Sequence, residues 1–128
     1  KYTHKVKITS TRSLPYKDYI KANSSAHILL DQIYSYDQGY NALEAMAKGK
    51  VVFTGAESCF YEHYNLQEDV CINAKPDVAY LVEKLSKLIE NPKKIASIGY
   101  NAKLFVSKYH KLETVSKQYI EVYNSVKE

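Results

Sequence analysis

The sequence is short of several residue types, and each shortage excludes something. Arginine occurs once, at Arg12, so the formal charge of +4 is carried by lysine. Nucleic-acid readers lean on the forked guanidinium to grip phosphates and base edges. The lysines here are dispersed among acids, which predicts a solvated surface and no nucleic-acid partner. Cysteine occurs twice, as Cys59 and Cys71. Two cysteines are too few for the disulfide framework of a small secreted domain, so free thiols in a reducing cytoplasm are expected. With His63 they make three potential zinc ligands, one short of a closed structural site, and no metal is expected. Long apolar runs are missing too. A membrane-spanning helix needs roughly 20 such residues, whereas the longest run, Ala26-His27-Ile28-Leu29-Leu30, has the length of a strand. No cleavable signal segment stands out. Methionine occurs once, at Met46, and the sequence opens on Lys1, as an excised or processed piece of a longer protein would.

What is present is ordinary for a folded domain. Hydrophobic residues make up 45% and charged residues 25% of the 128 positions, which excludes disorder and suffices for one core spanning residues 1–128. Up to about Asn73, strand-like runs alternate with helical stretches. Val6 and Ile8 alternate with polar neighbours in His4–Thr9, predicting a first strand. Pro15 suits the first turn of a short helix that turns Tyr16, Tyr19 and Ile20 inward and breaks at Asn23-Ser24-Ser25. Ala26–Leu30 is a continuous apolar run, as in a parallel strand covered on both faces. Tyr40–Ala47 is helical, with Leu43, Met46 and Ala47 as its buried stripe, and Gly49 ends it in the left-handed conformation. Val51–Phe53 and Val70–Ile72 are further strands, with a short helix at Cys59–Tyr64 between them.

Beyond Asn73 the spacing is helical throughout. Asp77–Glu90 aligns Val78, Leu81, Val82, Leu85, Leu88 and Ile89. Asn91-Pro92 stops that helix and starts another, as N-cap and first helical residue. Its stripe is Ile95, Ile98, Ala102, Phe105, Val106 and Tyr109. A last helix, about Glu113–Val126, aligns Val115, Tyr119, Val122, Tyr123 and Val126. All three stripes read as core. The order predicts an α/β, Rossmann-like, three-layer domain with a small parallel sheet and a helical C-terminal tail.

Ligands of open parallel sheets bind beyond the carboxyl ends of the strands. Two loops lie there: Asp31 to Gly39, and Thr54-Gly55-Ala56-Glu57. The first leads into a helix whose opening amides are unpaired and electropositive, suited to a phosphate or a sugar hydroxyl. Gly39 lets a ligand approach the backbone. One turn in, Glu44 offers a two-oxygen acceptor for vicinal hydroxyls such as those of ribose; equally, an acid there only complements the helix dipole.

The stretch Gly39-Tyr40-Asn41-Ala42-Leu43-Glu44-Ala45-Met46-Ala47-Lys48-Gly49-Lys50-Val51-Val52 resembles the signature of the group 1 GT-B glycosyltransferases, roughly E-G-F-G-L-P-A-L-E-A-M-A-x-G-x-P-V-V. Ser24-Ser25-Ala26-His27-Ile28-Leu29-Leu30 resembles the strand before it. Asp77 to Tyr123 is similar to the family's tail: a helix, an N-P or D-P break, a G-x-x-A-x-x-x-V-like helix, and a last helix ending in tyrosine. The resemblance covers nearly the whole chain.

It implies the C-terminal, nucleotide-sugar-binding half of a GT-B enzyme that moves a hexose from a nucleoside-diphosphate sugar to a glycan or lipid-linked acceptor in polysaccharide biosynthesis. No cofactor beyond that donor is implied. Glu44 matches the second acid of the family's E-x7-E pair, the one that binds the nucleotide ribose. The first acid, which faces the donor sugar, would fall at Tyr36. Asp37 is the neighbouring carboxylate that a one-residue shift of the loop would bring into that catalytic place, with Asp31 a more distant substitute. Gln38 replaces the usual aromatic and Asn41 the usual proline. Tyr36, Gln38, Gly39, Tyr40, Asn41 and Thr54 complete the implied binding set, and Glu57 stands where an acid caps the following helix.

The arginine and lysine that neutralise the leaving diphosphate belong upstream in such enzymes, and Arg12 does not match that arginine. Neither they nor the acceptor-binding domain are found in this sequence, so it is expected not to turn over alone. The expected place of the intact enzyme is the cytoplasm, in peripheral contact with the inner face of the membrane. In the family the last helix crosses toward the other domain, which leaves Tyr119 and Tyr123 partly uncovered here and favours self-association. A module for binding or assembly that has lost its acid pair is the alternative reading.

Overall fold

The structure is a computed structural model that describes residues 2–126. Lys1 and the last two residues of the predicted 1–128 domain lie outside the described residues. The elements run α1 (Tyr16–Ser25), β1 (Ile28–Leu30), α2 (Tyr40–Ala47), β2 (Val51–Thr54), α3 (Ser58–Tyr64), β3 (Ile72–Asn73), α4 (Val78–Glu90), α5 (Pro92–Tyr109) and α6 (Leu112–Ser125). The strands form one parallel three-stranded sheet in the order β1-β2-β3. The expected α/β, Rossmann-like architecture is the one observed.

Alternation along β2 divides the interior in two. Val52 joins Ala42, Ala45 and Met46 of α2, Phe60 of α3, and Ala102 and Phe105 of α5 on one face. Val51 and Phe53 point the other way, toward Ile72, Leu88 of α4 and Ile98 of α5. The sheet is therefore covered by helices on both sides, which is why β2 is buried along its whole length. Helix α5 serves both layers, and one contact explains how it comes so close. A Cβ on Gly99 would lie 2.2 Å from the Gly49 carbonyl oxygen. Gly49 itself sits at φ +73° after α2, where the missing side chain removes the left-handed penalty.

Several expectations are corrected. His4–Thr9 forms no strand: Ile8 is 89% exposed, and the segment begins with a turn in which Lys5 and Val6 donate to the Tyr2 carbonyl. Alternation makes a strand only where an edge pairs with it, and the ladders of the described residues, β1 with β2 and β2 with β3, do not take in this segment. Helix α1 does not break at Asn23-Ser24-Ser25. The Ser24 and Ser25 hydroxyls donate back to the Ile20 and Ala22 carbonyls, a way for serine to stay helical, and Asn23 is buried with its amide on the Tyr19 hydroxyl. Pro15 is the N-cap rather than a first-turn residue, and Tyr16 is exposed.

Strand β1 starts at Ile28 and lies at the sheet edge, so Leu30 is 57% exposed rather than covered. The third strand falls at Ile72–Asn73, sharing only Ile72 with the expected Val70–Ile72, because Ile72 and Asn73 are the residues that pair with Phe53 and Thr54. In α2 the buried stripe is Ala42, Ala45 and Met46. Leu43 is half-buried and Ala47 exposed, since the two alanines give α5 its close approach. In α4, Leu81, Leu85 and Leu88 face the core while Val78 and Val82 look outward. The α6 stripe is not core: none of its residues is buried, and Tyr119 and Tyr123 are more open than the "partly uncovered" expected of them.

The helix-start signal at Asn91-Pro92 holds: Asn91 accepts from the Lys94 amide and Pro92 opens α5. Asp77, expected as the first residue of its helix, is instead the N-cap of α4 and accepts from the Tyr80 amide. Cys59 is exposed and Cys71 buried; burial, with Asp69 nearby, pushes the Cys71 thiol up to about 12. Among the described residues no three His, Cys, Asp or Glu side chains converge as a metal site would require. No helix of the described residues is long and apolar enough to cross a membrane.

Candidate functional site

The carboxyl ends of β1 and β2 open into two loops that are fastened to each other. A Cβ on Gly55 would lie 2.2 Å from the Ser35 carbonyl oxygen and 2.6 Å from the Asp37 amide nitrogen, so only glycine lets the second loop rest on the first. The Gln38 side-chain amide donates to the Gly55 carbonyl across the same contact. Within the first loop, the Ser35 hydroxyl donates to the Asp37 carbonyl (2.8 Å), and the Gln38 amide donates to the Asp37 carboxylate (2.7 Å). Asp37 thus holds the loop's own backbone.

The loop delivers the chain to Gly39, the N-cap of α2, which has extended backbone and no side chain capping the helix. Its first amides keep their partial positive charge available at the surface. A Cβ on Gly39 would meet nothing nearer than the Gln32 side chain at 3.6 Å, ordinary contact, so Gly39 is not demanded by packing. Tyr36 and Tyr40 flank this helix start and are 82% and 93% exposed. Asn41 is also exposed.

Glu44 is half-buried and is not turned into the interior; its carboxylate pairs with Lys48 one turn on, at 2.7 Å. Thr54 ends β2, completely buried, with no hydrogen-bond partner for its hydroxyl among the described residues. Beside it, directly after β1, one carboxylate oxygen of Asp31 is buried and equally without a partner among the described residues. Burial raises the Asp31 pKa above the ordinary carboxylate value. Glu57 occupies the N-cap of α3, but its side chain makes no capping bond. Asn73, next in the row, accepts from the Ala56 amide at 3.0 Å and so fixes the second loop.

Two further groups approach from the ends of other helices. Tyr64 ends α3 and His110 follows α5, and both feel the Asp37 carboxylate. Burial lowers the His110 pKa, with Asp37 opposing it. Residues 36–41 thus run up to the start of α2, Gln38 ties that loop to Gly55 beside Thr54, and Glu44 pairs with Lys48. Asp31 was legible only as a remote substitute, and Gln32 and His110 not at all. What marks Asp31 is its place as the first residue after a strand, directly across from Thr54.

Two cavities, of about 340 and 260 Å³, reach this region from its sides: one is lined by Tyr64, Leu66, Phe105 and Tyr109, the other by Tyr61, Asn73, Tyr80 and Lys84.

Comparison with known families bears on this arrangement directly. The family model described as "Glycosyl transferase-like" matches residues 1–121. The chain belongs to that family. The match runs from before α1 into α6 and so takes in both loops and the start of α2. No curated protein and no solved structure gives a significant match. For a glycosyl transferase-like chain, the features to account for are the uncapped start of α2, the Glu44 carboxylate behind it and the two partnerless oxygens below.

Proposed function

We propose that this chain is the donor-binding, C-terminal half of a GT-B glycosyltransferase of the group 1 type. Such an enzyme transfers a hexose from a nucleoside-diphosphate sugar to a glycan or lipid-linked acceptor in polysaccharide biosynthesis. The observation that carries the reading is the uncapped N-terminus of α2 at the carboxyl end of a parallel sheet, with Glu44 on its second turn. Free amides there suit a diphosphate, and a carboxylate one turn on suits the two ribose hydroxyls. The pairing of Glu44 with Lys48 is no obstacle. A partly exposed i,i+4 pair contributes only about 0.3–0.5 kcal/mol, less than hydrogen bonds from two hydroxyls to a carboxylate return. Tyr36, Gln38, Gly39, Tyr40, Asn41 and Thr54 surround the nucleotide and sugar in this reading.

In the intact enzyme the upstream half supplies the acceptor site and the cationic groups that stabilise the leaving diphosphate. The chain alone is expected to bind and not to turn over. We place the enzyme in the cytoplasm, in peripheral contact with the inner face of the membrane where lipid-linked acceptors lie.

The test is isothermal titration of UDP, GDP and ADP into the chain. One of the three is expected to bind, and Glu44→Ala to weaken it about tenfold or more. Absence of heat with all three would refute the reading. A second reading, a non-catalytic binding module, has Tyr36 in its favour, because that exposed phenol stands where an acid would face the sugar. Turnover by the full-length enzyme would exclude it.

A further inference from the structure

We propose that Asp31 and Thr54 form a hydroxyl-binding floor below the start of α2, and that Asp31 rather than Asp37 supplies the carboxylate facing the donor sugar. This rests on the donor-binding reading above and specifies it.

The placement follows from the sheet. Leu30 pairs with Phe53, so Asp31 and Thr54 form the next rung, and the Asp31 amide donates to the Phe53 carbonyl at 3.0 Å. Side chains alternate along a strand. Val52 faces the layer of α2 and α3, and Leu29 packs in that layer too. Thr54 and Asp31, two positions on, therefore point to the same layer, the one in which α2 begins.

Both present an unsatisfied oxygen. Thr54 is wholly buried with its hydroxyl unpartnered, and Asp31 Oδ2 is buried and unpartnered. Native chains rarely leave such groups without a partner unless a ligand or an ordered water supplies one. Asn73, the third member of the row, is already occupied by the Ala56 amide. Adjacent strands set the first two side chains about 4.8 Å apart, a distance that hydroxyls on neighbouring sugar carbons bridge. The carboxylate accepts from one hydroxyl, and the threonine exchanges a hydrogen bond with the other.

Asp37 is the weaker candidate on the same ground. It is exposed, and its Oδ1 already accepts from the Gln38 amide. Desolvation of Asp31 also has a direction that fits: burial raises its pKa by disfavouring the charged form, and hydroxyl donors to the carboxylate act the opposite way.

The experiment uses the full chain and whichever of UDP, GDP and ADP binds it, alone and as the corresponding nucleotide glucose or mannose. Asp31→Asn and Thr54→Val are each expected to lower affinity for the nucleotide sugar about tenfold or more. Affinity for the bare diphosphate is expected to stay unchanged, whereas Asp37→Asn, which alters the brace of the loop, is expected to change affinity for the two ligands by the same factor. Thermal unfolding at neutral pH is expected to be no lower in Asp31→Asn and Thr54→Val than in the wild type, because the first removes a desolvated charge and the second a buried hydroxyl with no partner. Equal losses for both ligands, no loss for either, or a lowered Tm would overturn the proposal, the last by marking a floor that an ordered water already satisfies. Binding of none of the three nucleotides to the wild type would instead remove the donor reading, and this inference with it.

Discussion

At the residue scale the site depends on what is missing at Gly55. Its backbone lies against the Ser35 carbonyl and the Asp37 amide so closely that a methyl group would fall at 2.2 and 2.6 Å from them. Neither neighbour is the free end of a side chain; both belong to a loop braced by the Ser35 hydroxyl and the Asp37 carboxylate. Gly55→Ala must therefore push the two loops apart and break the contact from Gln38 to the Gly55 carbonyl. Overpacking of this kind costs about 1–3 kcal/mol. Urea unfolding is expected to show a loss of that size, and titration a weaker nucleotide. A variant as stable as the wild type would mean that the loops do not rest on each other in solution.

At the element scale the proposed donor binding rests on α2 and turns on Glu44. Its carboxylate pairs with Lys48 along the helix, and in the proposal it also accepts from a ligand at the helix start. Lys48→Ala is expected to change stability by no more than about 0.5 kcal/mol, as exposed i,i+4 pairs do. By releasing Glu44 it should leave nucleotide affinity unchanged or raise it up to about twofold. A large fall in affinity would show that Lys48 itself grips the ligand. Helix α2 was also the most legible element: its bounds and the turn at Gly49 follow from spacing and a single glycine. The cap at Asn91 was equally plain. Segments whose fate depends on distant partners were not. Val6 and Ile8 have the alternation of a strand but no edge to join, and Ala42 and Ala45 gain their burial from α5, some 55 residues further along the chain. The candidate site divides the same way. Glu44 is visible by its place on a helix, whereas the Asp31–Thr54 rung exists only once β1 and β2 are in register.

At the scale of the whole molecule, the two packed layers end with α5, and α6 adds little to either. Its single half-buried apolar residue is Val115; Leu112, Tyr119, Ile120, Val122 and Tyr123 face outward. A helix gains stability in water chiefly by burying one face, so α6 contributes little to this fold while presenting apolar surface of the kind that draws partners. Removing residues 112–128 is accordingly expected to cost about 1 kcal/mol or less and to leave unfolding cooperative. Leu88→Ala, which empties the layer between α4 and the sheet, is the contrasting case at about 2–5 kcal/mol. The same deletion should abolish concentration-dependent self-association, which the intact chain is expected to show by sedimentation through this face. Identical monomeric profiles for the two chains would refute the association, and a collapse of cooperative unfolding on truncation would show that α6 is part of the core.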